Sequence, residues 1–258
     1  MKKLFFAGLL SVCALGLISC LEGGSNMQSR SGVPGIVQFD KNMRMVIMSP
    51  DFYPYPFYDP SIAALELDPG DCIFFGYAVD FNDENNINYQ TTGYIQGTLS
   101  GQPIVVDEYP CNSYLEKDTS ALIPNEQAVA YATSSNGYSI FFLDKLFLSS
   151  DVTMDTDQKT WWYLYHDSTL PVKEVDGKRV YTLFLRAEIT YPGKKPVING
   201  YTTNVFDTKR FVDTIMSLEK AEGNSTAYFQ ILHINEIKDD STYTWAQSEI
   251  IPINIAEE

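Results

Sequence analysis

The sequence lacks the common marks of an enzyme. It contains no GxSxG, HExxH, CxxC, phosphate-loop or dinucleotide fingerprint. Its only histidines, His166 and His233, stand far apart, and no Cys/His spacing suits zinc. The expectation is a non-catalytic protein with no cofactor and no metal site. Paired carboxylates of the glycosidase kind need no motif, so that chemistry stays open. Basic residues are also scarce, with 18 Lys+Arg against 33 Asp+Glu and a net charge of -15. Such a chain cannot replace the counterions of nucleic acid, and it will not adhere to anionic lipid by charge. The apolar stretch Leu4 to Ile18 falls short of the roughly 20 residues that a membrane-spanning helix needs. No internal repeat is visible. Apolar side chains are plentiful: at 45% hydrophobic and 14% aromatic residues, global disorder is excluded.

If charge does not attach the chain to a membrane, the N-terminus does. Met1-Lys2-Lys3 is a short positive region followed by the apolar stretch, which has the length and flanks of a secretory signal. Its end, Leu17-Ile18-Ser19-Cys20, resembles a bacterial lipobox, with an aliphatic residue at -3, a small one at -1 and cysteine at +1. The resemblance implies that residues 1-19 are a lipoprotein signal peptide and that the Cys20 thiol carries a diacylglycerol. Two or three acyl chains, at about 0.8 kcal/mol per buried methylene, hold a protein firmly where one does not. Losing Lys2 and Lys3 with the signal leaves 16 basic against 33 acidic residues. Residues 20-34, rich in Gly and Ser without apolar period, read as a flexible tether. The expected location is the bacterial cell envelope, lipid-anchored at the outer membrane, with the periplasmic or surface face open.

Beyond the tether the dominant signal is period two, in Val, Ile, Tyr, Phe and Thr runs cut by turn residues. Strands are expected at 35-39 and 43-48, 72-81, 89-99 and 103-107, then at 127-133 and 138-148 around Asn136-Gly137. Further strands are expected at 160-165, 179-191, 226-237 and 243-255. Ile73, Phe75, Tyr77, Val79 and Phe81 share one face. Helices are expected after Asp59-Pro60 and from Asp207 to about Glu222, the latter with Phe211, Ile215 and Leu218 as its apolar stripe. The turn-rich stretch between Glu108 and Pro124 suggests a seam. We therefore expect an all-β protein: a barrel-like N-terminal domain at 35-115 and a β-sandwich domain at 116-258 with one connecting helix.

The lipobox, the first-half segment LDPGDCIFFGYAVDF, the later VYTLFLRAEITY and the closing SEIIPINI together resemble the NigD-like lipoproteins of the Bacteroides group. The resemblance implies an N-terminal OB-like barrel followed by a C-terminal β-sandwich, and no enzymatic role. It carries no functional residues across.

Two aromatic segments are candidate binding sites. DFYPYPFYDP sets Phe52, Tyr53, Tyr55, Phe57 and Tyr58 among prolines, which would present either a stacking platform or a loop folded back over the barrel. In WWYLY, alternation sends Trp161, Tyr163 and Tyr165 to one face and Trp162 and Leu164 to the other, so one set is core and the other a candidate glycan surface. Asp80 to Asn86 clusters oxygen ligands but departs from a calcium loop, having no Gly at its sixth position. Cys72 and Cys111, the cysteines left besides the signal's Cys13 and the lipidated Cys20, would either pair or remain buried thiols. The function expected is a binding or accessory module for a glycan, a peptide or an envelope protein. The alternative is a fimbrial or surface-assembly subunit, matured by a cut after Arg30 or Arg44.

Overall fold

Asp40 makes the first turn. Its carboxylate accepts the backbone N–H groups of Asn42 and Arg44 at 2.8 and 2.9 Å and holds the Arg44 guanidinium at 2.6 Å. This turn joins β1 (Met27–Phe39) to β2 (Met45–Met48), and β3 (Phe57–Tyr58) extends the sheet beyond β2. The computed structural model describes residues 26–113, 119–132 and 140–254; the signal, Cys20 and the Asn136-Gly137 turn lie outside them.

On its other edge β1 pairs along most of its length with β4 (Cys72–Asp80), bending between Arg30 and Val33, where Gly32 has φ +67°. Residues 27–34, read from composition as tether, are therefore part of this strand. Their side chains are mostly exposed until Val33, and the ladder to β4 is made by backbone groups, which leave no apolar period to read. After β4 the expected strand at 89–99 begins as helix, and only 95–96 and 98–99 are strand. Asp83 caps α1 (Glu84–Ile87) by accepting the Asn85 N–H, and α2 (Tyr89–Thr92) stops at Gly93, which is left-handed at φ +81°. The buried Asn86 amide ties this insert to the Asp80 and Gln96 carbonyls.

The barrel closes at a single glycine. The sheet runs β5-β3-β2-β1-β4-β6, and its two ends, β5 (Ile95–Gln96) and β6 (Thr98–Leu99), are separated in sequence by Gly97 alone. A Cβ at Gly97 would stand 2.6 Å from the Phe57 ring and 2.7 Å from the Ala78 carbonyl oxygen, so only glycine fits there. β7 (Ile104–Val105) also pairs with β4. Val37, Ile47, Phe57, Ile73, Phe75, Tyr77 and Val79 fill the barrel. The helix expected after Asp59-Pro60 is a single 3-10 turn, Pro60–Ala64, with Ile62 buried and the Asp59 carboxylate accepting the N–H groups of Ser61 and Leu99.

The second sheet begins earlier than the seam at 115/116. β8 (Glu108–Asn112) already belongs to it, pairing in parallel with strands far along the chain. The turn formers within this segment mask a short strand whose partners are distant in sequence. β9 (Tyr131–Ala132), β10 (Ile140–Phe142), β11 (Lys145–Thr156), β12 (Lys159–His166), β13 (Lys173–Val175), β14 (Lys178–Tyr191) and β15 (Lys194–Asp207) follow. The run expected as one strand at 138–148 is cut by Leu143 and Asp144, both at positive φ. α3 (Lys209–Ala221), β16 (Thr226–Ile237), β17 (Tyr243–Gln247) and β18 (Ile251–Asn254) complete the chain. The order is β10-β11-β15-β8-β12-β14-β16-β17. The sheet curls back on itself: the Val129 N–H reaches the Ile234 carbonyl at 2.8 Å, bringing the segment at β9 against β16. The architecture is all-β, an OB-like barrel followed by a β-sandwich, with α3 connecting β15 to β16. Ile36, Met48 and Cys72 of the barrel pack against Phe142, Phe147 and Val205 of the second sheet.

α3 buries Phe211, Val212 and Ile215, whereas Leu218 of the expected stripe faces solvent. Glu219 is buried in its place, and its carboxylate accepts from Tyr181 at 2.6 Å and Arg179 at 2.9 Å. Burial alone would raise its pKa, but the hydrogen bonds from Tyr181, Arg179 and Asn224 outweigh it and hold the group below its usual value. Burial likewise lowers His166 and His233. These groups act in the same direction. The unfolded chain takes up imidazole protons first, so stability falls as pH drops below about 6.5. The Glu219 contribution, present above about pH 4.3, is lost as pH falls further through its folded value. Urea midpoints at pH 7.5, 5.5 and 3.5 should therefore decrease in that order; a flat profile from 7.5 to 5.5 would show that neither imidazole is held neutral.

Candidate functional site

The sandwich leaves a gap where β8 is too short. β8 has five residues, set between the 14-residue β15 and the eight-residue β12. It pairs with β15 at Val205–Asp207 and with β12 at Leu164–Tyr165. Short of those pairs, residues 158–162 face Thr202 and Asn204 across a cleft of about 550 Å³, with Asp107, Glu108 and Tyr109 at its closed end.

The cleft sets the exposed Trp161 ring, beside Tyr109 and Trp162, among neutral hydrogen-bonding groups and the charged Asp107, Glu108 and Lys159. Trp161 is 48% exposed and stands edge-on to Tyr109, ring centroids 5.1 Å apart. Gln158 is fixed by bonds to Gln127 at 2.9 Å and Thr160 at 3.0 Å. Thr190 and Thr202 add hydroxyl groups. Asn204 is only 5% exposed, yet its Nδ2 finds no acceptor among the described residues. A buried amide donor left unmade costs about 1–3 kcal/mol, so the cleft asks for an oxygen at that point.

The aromatic candidates divide. Trp162 is buried in the sandwich core, so alternation separates it from Trp161 as expected. In the 51–60 segment, Phe52 and Phe57 are barrel core. Tyr55 packs edge-on to Tyr89, and Tyr58 to Tyr94, with the Arg44 guanidinium over both Tyr58 and Tyr94. Tyr53 alone is an exposed ring, turned edge-on to Phe142. These five rings share no open face, whereas Trp161 opens onto a cleft. Asn204 was missed because a lone Asn in a strand carries no sequence signal.

Cys72 and Cys111 carry free thiols. Cys111 shares a cavity of about 240 Å³ with His166. Burial pushes its thiol up to about 12 and the imidazole down. A nucleophilic pair requires the reverse, a thiolate beside an imidazolium. In the Asp80–Asn86 segment the Asp80 and Asp83 carboxylates are occupied as turn and helix caps, Asp80 by Asn82 and Asp83 by Asn85. Among the described residues no group of three or more His, Cys, Asp or Glu is placed to hold a metal ion.

Comparison of the barrel with known families gives a definite result. Residues 24–103 match the family model of the lipoprotein OB domain. The match covers the OB domain and less than a third of the chain. Among solved structures, an uncharacterised protein from Parabacteroides merdae is similar at 28% identity and TM-score 0.74, over 89% of this chain and 100% of that one. A predicted lipoprotein from Bacteroides fragilis is similar at 14% identity and TM-score 0.56, over 89% of this chain and 99% of that one. A NigD-like immunity protein from Bacteroides caccae aligns at 8% identity and TM-score 0.46, over 85% and 91% of the two chains. No curated protein matches this chain. The fold beyond the OB domain is thus shared with solved proteins of the Bacteroides group.

Proposed function

We propose that this chain is a non-catalytic envelope protein, anchored through lipid on Cys20, that binds a glycan in the Trp161 cleft. The lipobox and the match to a lipoprotein OB domain support the anchoring. The carrying observation for the ligand is the half-exposed Trp161 ring at the mouth of a cleft lined by Gln158, Thr160, Thr190, Thr202 and Asn204. A sugar offers an apolar face to an indole and hydroxyls that both donate and accept, which is what amides and threonines require. Glycan-array screening of the mature protein, followed by calorimetry on the hits, tests this. Trp161→Ala should weaken binding about 10- to 100-fold, the loss of one stacked ring at roughly 1.4–2.8 kcal/mol, while leaving the unfolding midpoint nearly unchanged. Hits that bind equally well to the Trp161→Ala protein, or an array without hits, would defeat the reading.

A further inference from the structure

Very little chain joins the barrel to the lipidation position. Asn26 is already tied to the barrel, its carbonyl accepting the Phe81 N–H at 3.1 Å. Six residue steps separate Asn26 from Cys20, and even fully extended they reach no more than about 21 Å. With Cys20 acylated, this reach keeps the adjoining end of the barrel at the bilayer, at an effective concentration on the order of millimolar.

That end is the one remote from the sandwich. The β1–β4 ladder runs from the pair Met27 and Asp80 to the pair Ile36 and Cys72. Ile36 and Cys72 are the residues that pack on Phe142, Phe147 and Val205 of the second sheet. The nine residues of β4 span about 26 Å between these two ends. The sandwich therefore begins beyond the reach of the linking residues, and the barrel stands between lipid and sandwich.

The exposed side chains at this end suit neutral lipid. Met27 is 61% and Ile87 63% exposed. Ile87 is held there because α1 follows β4 directly: its N–H bonds to the Asp83 carbonyl at 2.9 Å, and the neighbouring Asn86 amide is tied to the Asp80 and Gln96 carbonyls. Asp80, Asp83 and Glu84 lie at the same end, so anionic headgroups are repelled and zwitterionic ones are not. Charge also sets the posture. With a net charge of -15, a chain lying on its side would hold an acidic flank in the surface potential of an anionic leaflet. One standing on this end carries the sandwich beyond the Debye length of about 8 Å.

Resting on the reading that Cys20 carries lipid, we propose that the barrel end bearing Met27 and Ile87 is the bilayer-facing surface of this chain, seated on neutral headgroups. The OB domain is then a spacer that holds the sandwich and its Trp161 cleft off the membrane.

Tryptophan quenching by brominated phosphatidylcholine tests the proposal, because the barrel has no tryptophan and the second sheet carries Trp161, Trp162 and Trp245. The full chain, made with its signal and purified in lipidated form, is reconstituted into phosphatidylcholine vesicles with and without the brominated lipid. Wild-type emission should be unchanged by bromine. Met27→Trp and Ile87→Trp, both at exposed positions, should each add emission that the brominated lipid at least halves. Phe39→Trp, exposed at the opposite end of β1, should add emission that it leaves alone. Vesicle flotation and intact mass read the anchor separately. A chain that does not float, or carries no acyl mass on Cys20, would overturn the anchoring and this inference with it. A chain that floats with Met27→Trp and Ile87→Trp unquenched, or with its native tryptophans quenched, would overturn this inference and leave the anchoring standing.

Discussion

Replacing Arg186 by Met is expected to cost about 3–5 kcal/mol of stability, because it leaves the Glu126 carboxylate buried without its cation. Both side chains are almost completely shielded from water. The guanidinium meets Glu126 through both Nε and Nη2, donates to the Ala121 carbonyl at 2.9 Å and lies 5.5 Å from the Trp245 ring centre. Glu126 in turn accepts the Ile123 N–H at 2.9 Å and sits opposite Glu188, on β14. The pair therefore straps the segment ahead of β9 onto β14, and losing one partner frees the strap as well as stranding a charge. Urea unfolding followed by tryptophan fluorescence reads the effect in the right place, since Trp161, Trp162 and Trp245 all lie in the second sheet. The double variant Arg186→Met, Glu126→Leu should recover most of the loss, because removing both partners removes the stranded charge. A single variant that loses less than about 1 kcal/mol, the range of surface ion pairs, would mean the pair is hydrated.

Which parts of this structure the sequence discloses follows from how each part is stabilised. Strands with one buried face are legible: Ile73, Phe75, Tyr77 and Val79 alternate in the sequence and all four are barrel core. Strands held mainly by backbone pairing are not, and residues 27–32 of β1 look like linker because their exposed side chains carry no pattern. Glu108–Asn112 is harder still, since its partners Leu164 and Val205 are more than fifty residues away. The sites divide in the same way. Trp161 is visible as an aromatic on one face of an alternating run, but the cleft beside it exists because β8 starts only at Glu108, a property of topology.

The aromatic segment at 51–60 divides by burial, which leads to a large expected contrast between neighbours. Phe57→Ala should cost about 3–5 kcal/mol, whereas Tyr53→Ala should cost about 1 kcal/mol or less. Phe57 is fully buried, its ring centroid 5.8 Å from Phe52, 5.4 Å from Phe75 and 6.0 Å from Tyr77. It also lies against Gly97, the residue that joins the two ends of the barrel sheet, so truncation opens a cavity where the barrel closes. Tyr53 stands in solvent with only its edge contact to Phe142 to lose. Because the OB domain contains no tryptophan, two probes separate its unfolding from that of the sandwich. In Phe57→Ala the far-ultraviolet dichroism should begin to change at lower urea than tryptophan fluorescence, while in Tyr53→Ala both should stay near their wild-type midpoints. Equal losses in the two variants would place Tyr53 in the core and return the segment to the reading of a single packed loop. Coincident probes in Phe57→Ala would instead show that the packing of Ile36, Met48 and Cys72 against Phe142, Phe147 and Val205 makes barrel and sandwich one cooperative unit.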